Sequence, residues 1–232
     1  MSSSNTSTLE KECVIEGEFD RKVAIGFAKA AIEEVARIYG PIFTRMVIDY
    51  ARTFLEDKLK EKISEDIRGL DELINYILKN LNRYPEGQCA LIYGLRKTVN
   101  RLEGGGDNRR AAYGAMKKLF ESAGMLKNVI GTTENAYEAL KMLPVKEMRQ
   151  VTRYHYIRGE GKNEVTAIYS NCPYKDTCKA IMSEGIQRII GGLQCIFLNC
   201  GLATVEIVTG KHFDYVLEEF DTPDCKGRIF EV

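Results

Sequence analysis

The feature that most constrains how this chain can fold is a change of hydrophobic period near residue 147. Up to that point apolar residues recur at i, i+3, i+4 and i+7, the spacing of one helix face. Beyond it, short runs of β-branched and aromatic residues are separated by turn residues, the mark of strands. Helices first and strands after is the order of an α+β fold, with the helices available to cover a sheet.

The helical period predicts helices over Phe19 to Tyr39, Ile42 to Lys62, Ser64 to Leu81, Cys89 to Leu102 and Asn108 to about Ala123, and a short one over Thr133 to Met142. Gly40-Pro41, Asn82 to Gly87 and Leu143-Pro144 separate or end them. The run Gly104 to Gly106 reads as a flexible linker. It lacks the following Lys-Ser/Thr of a phosphate loop, and no strand precedes it as a dinucleotide fingerprint requires. Residues 1–18 are polar and read as a disordered tail without signal or transit character.

After Glu147, Met148 to Ile157 and Val165 to Tyr169 flank a glycine-rich turn and read as a hairpin. A long helix is predicted from Asp176 or Thr177 to about Asn199. Strands follow over Ala203 to Thr209, Tyr215 to Phe220 and Arg228 to Val232. The expected order, β-β-α-β-β-β, gives a mostly antiparallel sheet with one long helix inserted. The helical region 19–143 packs on it, so that 19–143 and 144–232 form one domain.

Charge narrows the function. Lys plus Arg and Asp plus Glu number 33 each, so no net field draws the protein to nucleic acid or an anionic membrane. Nor do about 18 uncharged apolar residues run together anywhere, so no membrane span is expected. Seven cysteines, an odd number with no secretory signal, point to reduced thiols or metal ligands in the cytoplasm.

Five of those cysteines, Cys172, Cys178, Cys195, Cys200 and Cys225, lie from residue 172 onward. Their spacings, C-x5-C and C-x4-C, are not the short C-x2-C knuckle of a zinc site. On one continuous helix, Cys178 and Cys195 would stand about 25 Å apart. The expected topology therefore sorts the cysteines into two groups. Cys195, Cys200 and Cys225 converge at one end, with Glu218 or Glu219 as a carboxylate ligand, and Cys172, Cys178 and His212 gather at the other. Either set suits zinc, and thiolates drawn from both suit an iron–sulfur cluster if Gly191-Gly192 breaks the helix. The competing reading is that these are inert thiols lining a core, as expected for Cys89. Tyr154, Tyr156 and Tyr169 form an aromatic stripe that either faces an apolar ligand or packs against the helices. His155, between two of those tyrosines, reads as structural.

The segments GGLQCIFLNCGLA, TVEIVTGKHFDYVLEEF and PDCKGRIFEV, within Val165 to Val232, resemble the 4-vinyl reductase domain family, relatives of subunits of the TRAPP vesicle-tethering complex. The resemblance implies an α+β fold, a homodimer formed through helices, and an apolar pocket that takes up a hydrophobic small molecule in sensor proteins. It also implies zinc held by Cys195 or Cys200, Glu218 and Cys225, although Phe220 and Asp221 stand where such members carry a further cysteine. NCPYKDTC is more loosely similar to the amino-thiazoline carboxylate hydrolase relatives of the fold. The leading expectation is thus a ligand-binding sensor or regulatory protein with a cysteine-bound metal. A metal- or iron–sulfur-dependent enzyme or redox protein comes second, and a dimeric scaffold third.

Overall fold

Gly40 sets the first corner of the chain. Its amide donates to the Ala36 carbonyl at 2.7 Å and ends one helix, its φ of +81° turns the backbone, and Pro41 opens the next helix. Proline suits that place because the first helical amide has no partner to lose and its φ is already helical. The two helices are α1 (Arg21–Tyr39) and α2 (Pro41–Leu59). The structure, a computed structural model, describes residues 12–16, 21–81, 86–104, 109–143, 153–161, 163–185, 195–220 and 223–232.

Helix α3 (Leu70–Asn80) opens with the Glu72 carboxylate accepting from the Arg68 and Gly69 amides. It leads to α4 (Glu86–Glu103), the centre of the helical layer, on which every residue from Gly87 to Asn100 except Lys97 is buried. The closest approach is to α2: a Cβ on Gly94 would stand 2.4 Å from the Val47 carbonyl oxygen. Glycine lets the two backbones touch. Helix α5 (Arg109–Ser122) packs beside α1, and the short α6 (Ala136–Leu140) is capped by the Asn135 side chain. These helices fall where the sequence places them, with ends shifted by a few residues, except that the third starts at Leu70 and Gly87 lies inside α4.

The described strands are β1 (Glu12–Glu16), β2 (Arg153–Arg158), β3 (Glu164–Ser170), β4 (Phe213–Glu219) and β5 (Cys225–Glu231). They form one antiparallel sheet in the order β1-β2-β3-β5-β4. Alternation fixes its two faces. Tyr154, Tyr156, Val165, Ala167, Tyr169, Phe213, Tyr215, Leu217, Cys225 and Ile229 are buried on one face. Glu164, Glu218, Lys226 and Arg228 stand on the other and are joined by ion pairs. The α+β class expected from the sequence is therefore present.

Three expectations change. Residues 12–16 are not tail but strand, with Cys13 opposite Tyr156 in register; the rest of the tail lies outside the described residues. The predicted long helix ends early: α7 (Lys175–Ser183) stops where Gly185 adopts a φ of +67°, the left-handed position that terminates helices. The stretch Ala203 to Thr209, predicted as a strand, belongs instead to α8 (Ile196–Thr209). Its β-branched residues suit a strand locally, but Phe197 to Thr209 are buried throughout, and a segment apolar on all sides has no period to distinguish strand from helix. Much of the glycine linker, the start of the expected first hairpin strand and Gly191-Gly192 fall outside the described residues. No described helix is long and apolar enough to cross a membrane.

Helix α8 lies against the buried face of the sheet. A Cβ on Gly201 would stand 2.9 Å from Ile229 Cδ1, and one on Gly227 would stand 2.6 Å from Leu198 Cδ1. Two glycines, one on each side, allow this close seating.

Candidate functional site

The break at Gly185 decides where the cysteines go. With α7 and α8 as separate helices, Cys178 and Cys195 are electrostatic neighbours, and Cys195 also neighbours Cys225. The Cys172 thiol, just past β3, is hydrogen-bonded to that of Cys225 at the start of β5. The two groups expected at opposite ends of one helix are thus merged: Cys172, Cys178, Cys195 and Cys225 share one region under α4. Cys200, one turn into α8, neighbours Cys195 and faces Tyr154. Two expected members are elsewhere. Glu218 is on the opposite sheet face, paired with Arg228 and Lys226, and His212 is exposed beside Glu206.

Cys89, Cys172, Cys178, Cys195, Cys200 and Cys225 are free thiols. Burial pushes the Cys195 thiol up to about 12 and holds Cys200 above its usual range. Cys172 is raised first by its bond to Cys225 and then by burial. Cys89, whose thiol donates to the Pro173 carbonyl at 3.0 Å, is pushed up to about 12, mainly by burial. These groups stay protonated at neutral pH and are poor nucleophiles in that form. Among the described residues, no three His, Cys, Asp or Glu side chains are arranged to hold a metal ion.

The tyrosine stripe is entirely buried. The Tyr154 ring meets Tyr169 at 5.6 Å and Phe197 at 5.4 Å, both nearly edge to face, and Tyr156 meets Tyr169 at 6.4 Å. These are favourable aromatic geometries, and they tie β2 and β3 to α8. The hydroxyls of Tyr154 and Tyr169 are nevertheless buried without a hydrogen-bond partner. Burial drives their pKa values well above the usual phenol range, so both remain neutral.

The polar group that sequence reasoning missed is Arg96. It sits in the apolar stripe of α4, at helical spacing from Cys89, Ile92 and Val99, and only 4% of it is exposed. Its Nη1 donates to Cys178 Sγ at 2.9 Å, while its Nε and Nη2 are buried without partners among the described residues. Burial disfavours the charged form, the neighbouring Cys178 sulfur favours it, and the net shift is upward. The guanidinium therefore stays charged, and among the described residues no carboxylate is one of the groups that act on it most strongly. A lone Arg on an apolar helix stripe is the sequence signal that could have found it.

Arg96 lines a cleft between α1, α4, α5 and the start of α8, whose other walls include Val35, Ile92, Leu95, Met116 and Ile196. Asn199 joins Arg96 there, its Oδ1 also buried without a partner. The cleft encloses about 370 Å³ counted out to its open side, but its own room is that of about one water molecule. It is a narrow, mostly aliphatic slot with a charged fork and an amide in its wall.

No protein-family model, curated protein or solved structure matches this chain. What the site can do is therefore argued from its own groups. It offers a desolvated cation, one unpaired acceptor and an apolar wall, which is the composition of a binding site for an amphiphilic small molecule.

Proposed function

We propose that the protein is a small-molecule-binding sensor or regulatory protein, of the 4-vinyl reductase-like type that its carboxy-terminal segments resemble, with the α1–α4–α5–α8 cleft as its binding site. The observation that carries this reading is Arg96: a buried guanidinium with two unpartnered N–H groups beside an aliphatic cleft. Folding alone gives no reason for it, since leaving buried donors unpaired costs stability. A ligand that supplies the missing partners does. Binding then orders α5 and α8 against α1 and α4, and the sheet beneath α8 carries the change onward. The same reading includes a homodimer formed through helices.

A metal is a second element, favoured by one observation, the gathering of Cys172, Cys178, Cys195 and Cys225. Zinc or an iron–sulfur cluster on these thiols would require them to draw closer and lose protons, and the reading does not depend on it.

Native mass spectrometry of untagged protein, purified without chelator, tests the proposal. A bound organic mass in the low hundreds of daltons that extracts into solvent is expected. Protein that carries no such mass, and whose melting temperature is unmoved by a panel of small aromatic and aliphatic compounds, would overturn it. Metal analysis on the same sample decides the second element: near-stoichiometric zinc or iron supports it, and its absence removes it.

A further inference from the structure

We propose that the cleft takes an apolar molecule bearing a carboxylate, and that Arg96 receives that carboxylate side-on; this rests on the small-molecule-binding reading above. The geometry of the guanidinium points to this class. Of its three nitrogens, Nη1 is used by Cys178. The two left unpartnered, Nε and Nη2, share one edge of the planar group, and that edge is the fork that holds both oxygens of a carboxylate.

Charge leads to the same class. Among the described residues, the ionisable groups that act most strongly on Arg96 are Cys178, Cys195 and Tyr215, none of which is a carboxylate. A desolvated cation without a counter-charge is costly, and an anion brought by a ligand removes that cost. Inorganic phosphate fits poorly: it prefers several cations and has nothing to place against Val35, Ile92, Leu95, Met116 and Ile196. A metal ion is repelled by the guanidinium. A thiolate at Cys178 would satisfy Nη1 alone and leave the fork empty. The aliphatic walls take the rest of the molecule, and because the cleft as it stands has room for about one water molecule, α5 and α8 must part from α1 and α4 to admit a ring or chain. Asn199 Oδ1, an unpartnered acceptor on the same wall, is placed to take a hydroxyl or N–H from it.

The test compares acids with their neutral amides on the full chain. The probes are 4-fluorobenzoate against 4-fluorobenzamide by fluorine NMR, and octanoate against octanamide by thermal shift, each with wild type, Arg96→Met and Arg96→Lys. The acids are expected to bind at least about tenfold more tightly than the amides. Arg96→Met should abolish that preference without lowering the ligand-free melting temperature, because it replaces an uncompensated buried charge with an apolar group of similar length. Arg96→Lys, which keeps the charge but not the fork, should bind the acids more weakly than wild type. If Arg96→Met fails to fold, a substitution on the α5 wall of the cleft, where Ala115 also stands, serves instead: Ala115→Leu narrows the cleft, leaves Arg96 in place and should still abolish acid binding. Equal binding of acid and amide would overturn the inference and leave the ligand-binding reading intact. Binding of neither probe at millimolar concentration would also overturn it, with the broader reading then judged by native mass spectrometry.

Discussion

The thiols of Cys172 and Cys225 are hydrogen-bonded to each other, although 53 positions separate them in the numbering and two helices and a strand intervene. Because Tyr169 pairs with Cys225 in register, the turn after β3 brings Cys172 back over the start of β5. Two thiols in contact are placed for oxidation to a disulfide. Mild treatment with diamide should link Cys172 to Cys225 before any other pair, read by peptide mapping without reduction. A first product linking Cys178 to Cys195 would show that the contact is not the one described.

Alkaline pH should weaken the fold through the buried thiols. Cys89 shifts from an ordinary value of 9.0 to about 12 on folding, so its neutral form is favoured in the native state. Stability from this group is complete below the unfolded value and is lost as pH rises towards the folded one. Urea midpoints should therefore fall between about pH 9 and pH 12. Cys89→Ala should make that fall shallower, and an unchanged slope would count against the burial of this thiol.

Glu206 works in the opposite direction. Burial raises its pKa, but the Tyr113 hydroxyl, the Phe213 amide and the Lys117 ammonium more than offset this, and the net shift is downward. Its contribution is present above the unfolded carboxylate range and is lost as pH falls through the folded value. Glu206→Gln should destabilise by roughly 2–4 kcal/mol at pH 7, because a buried network loses its charge partner, and the difference from wild type should shrink in acid. Denaturation at pH 7 and pH 4 checks both points.

Gly94→Ala should be far more costly than an ordinary helix glycine-to-alanine change, which is favourable by about 1 kcal/mol at an unhindered site. The added methyl would stand 2.4 Å from the Val47 carbonyl oxygen, so α2 and α4 must move apart. A loss of roughly 2–4 kcal/mol is expected, measured by chemical denaturation. Stabilisation would refute the close helix approach.

Phe197→Ala removes the ring that joins Tyr154, Tyr169 and Tyr174. A loss of about 3–5 kcal/mol is expected for such a cavity, together with loss of near-ultraviolet tyrosine circular dichroism at temperatures where wild type keeps it.

Helices α1, α2 and α3 were legible because each buries one face and exposes the other, so Val35, Phe43, Val47 and Leu73 recur at the turn of a helix. The hairpins were legible by alternation, as in Tyr154, Tyr156 and Val165, Ala167, Tyr169. Reading failed where burial is complete. Leu202 to Val208 are buried on every side, so their β-branched character outweighed a period that was not there. That one error, with the missed stop at Gly185, moved the cysteines: a helix drawn through residues 184 and 185 held Cys178 and Cys195 apart when the fold brings them near. Arg96 was overlooked for a different reason. Its type suggests a solvated face, and only the tertiary packing of α1, α5 and α8 around α4 shows that it is buried.

The pairing of β1 with β2 has a consequence for biosynthesis. Glu12 to Glu16 leave the ribosome first, but their partners Arg153 to Ile157 follow roughly 140 residues later, a delay of about ten seconds at ordinary elongation rates. Until then this segment has no hydrogen-bonding neighbour, and the helical layer can assemble without it. The pairing of β1 with β2 is thus a long-range closure, the slow kind in topological terms.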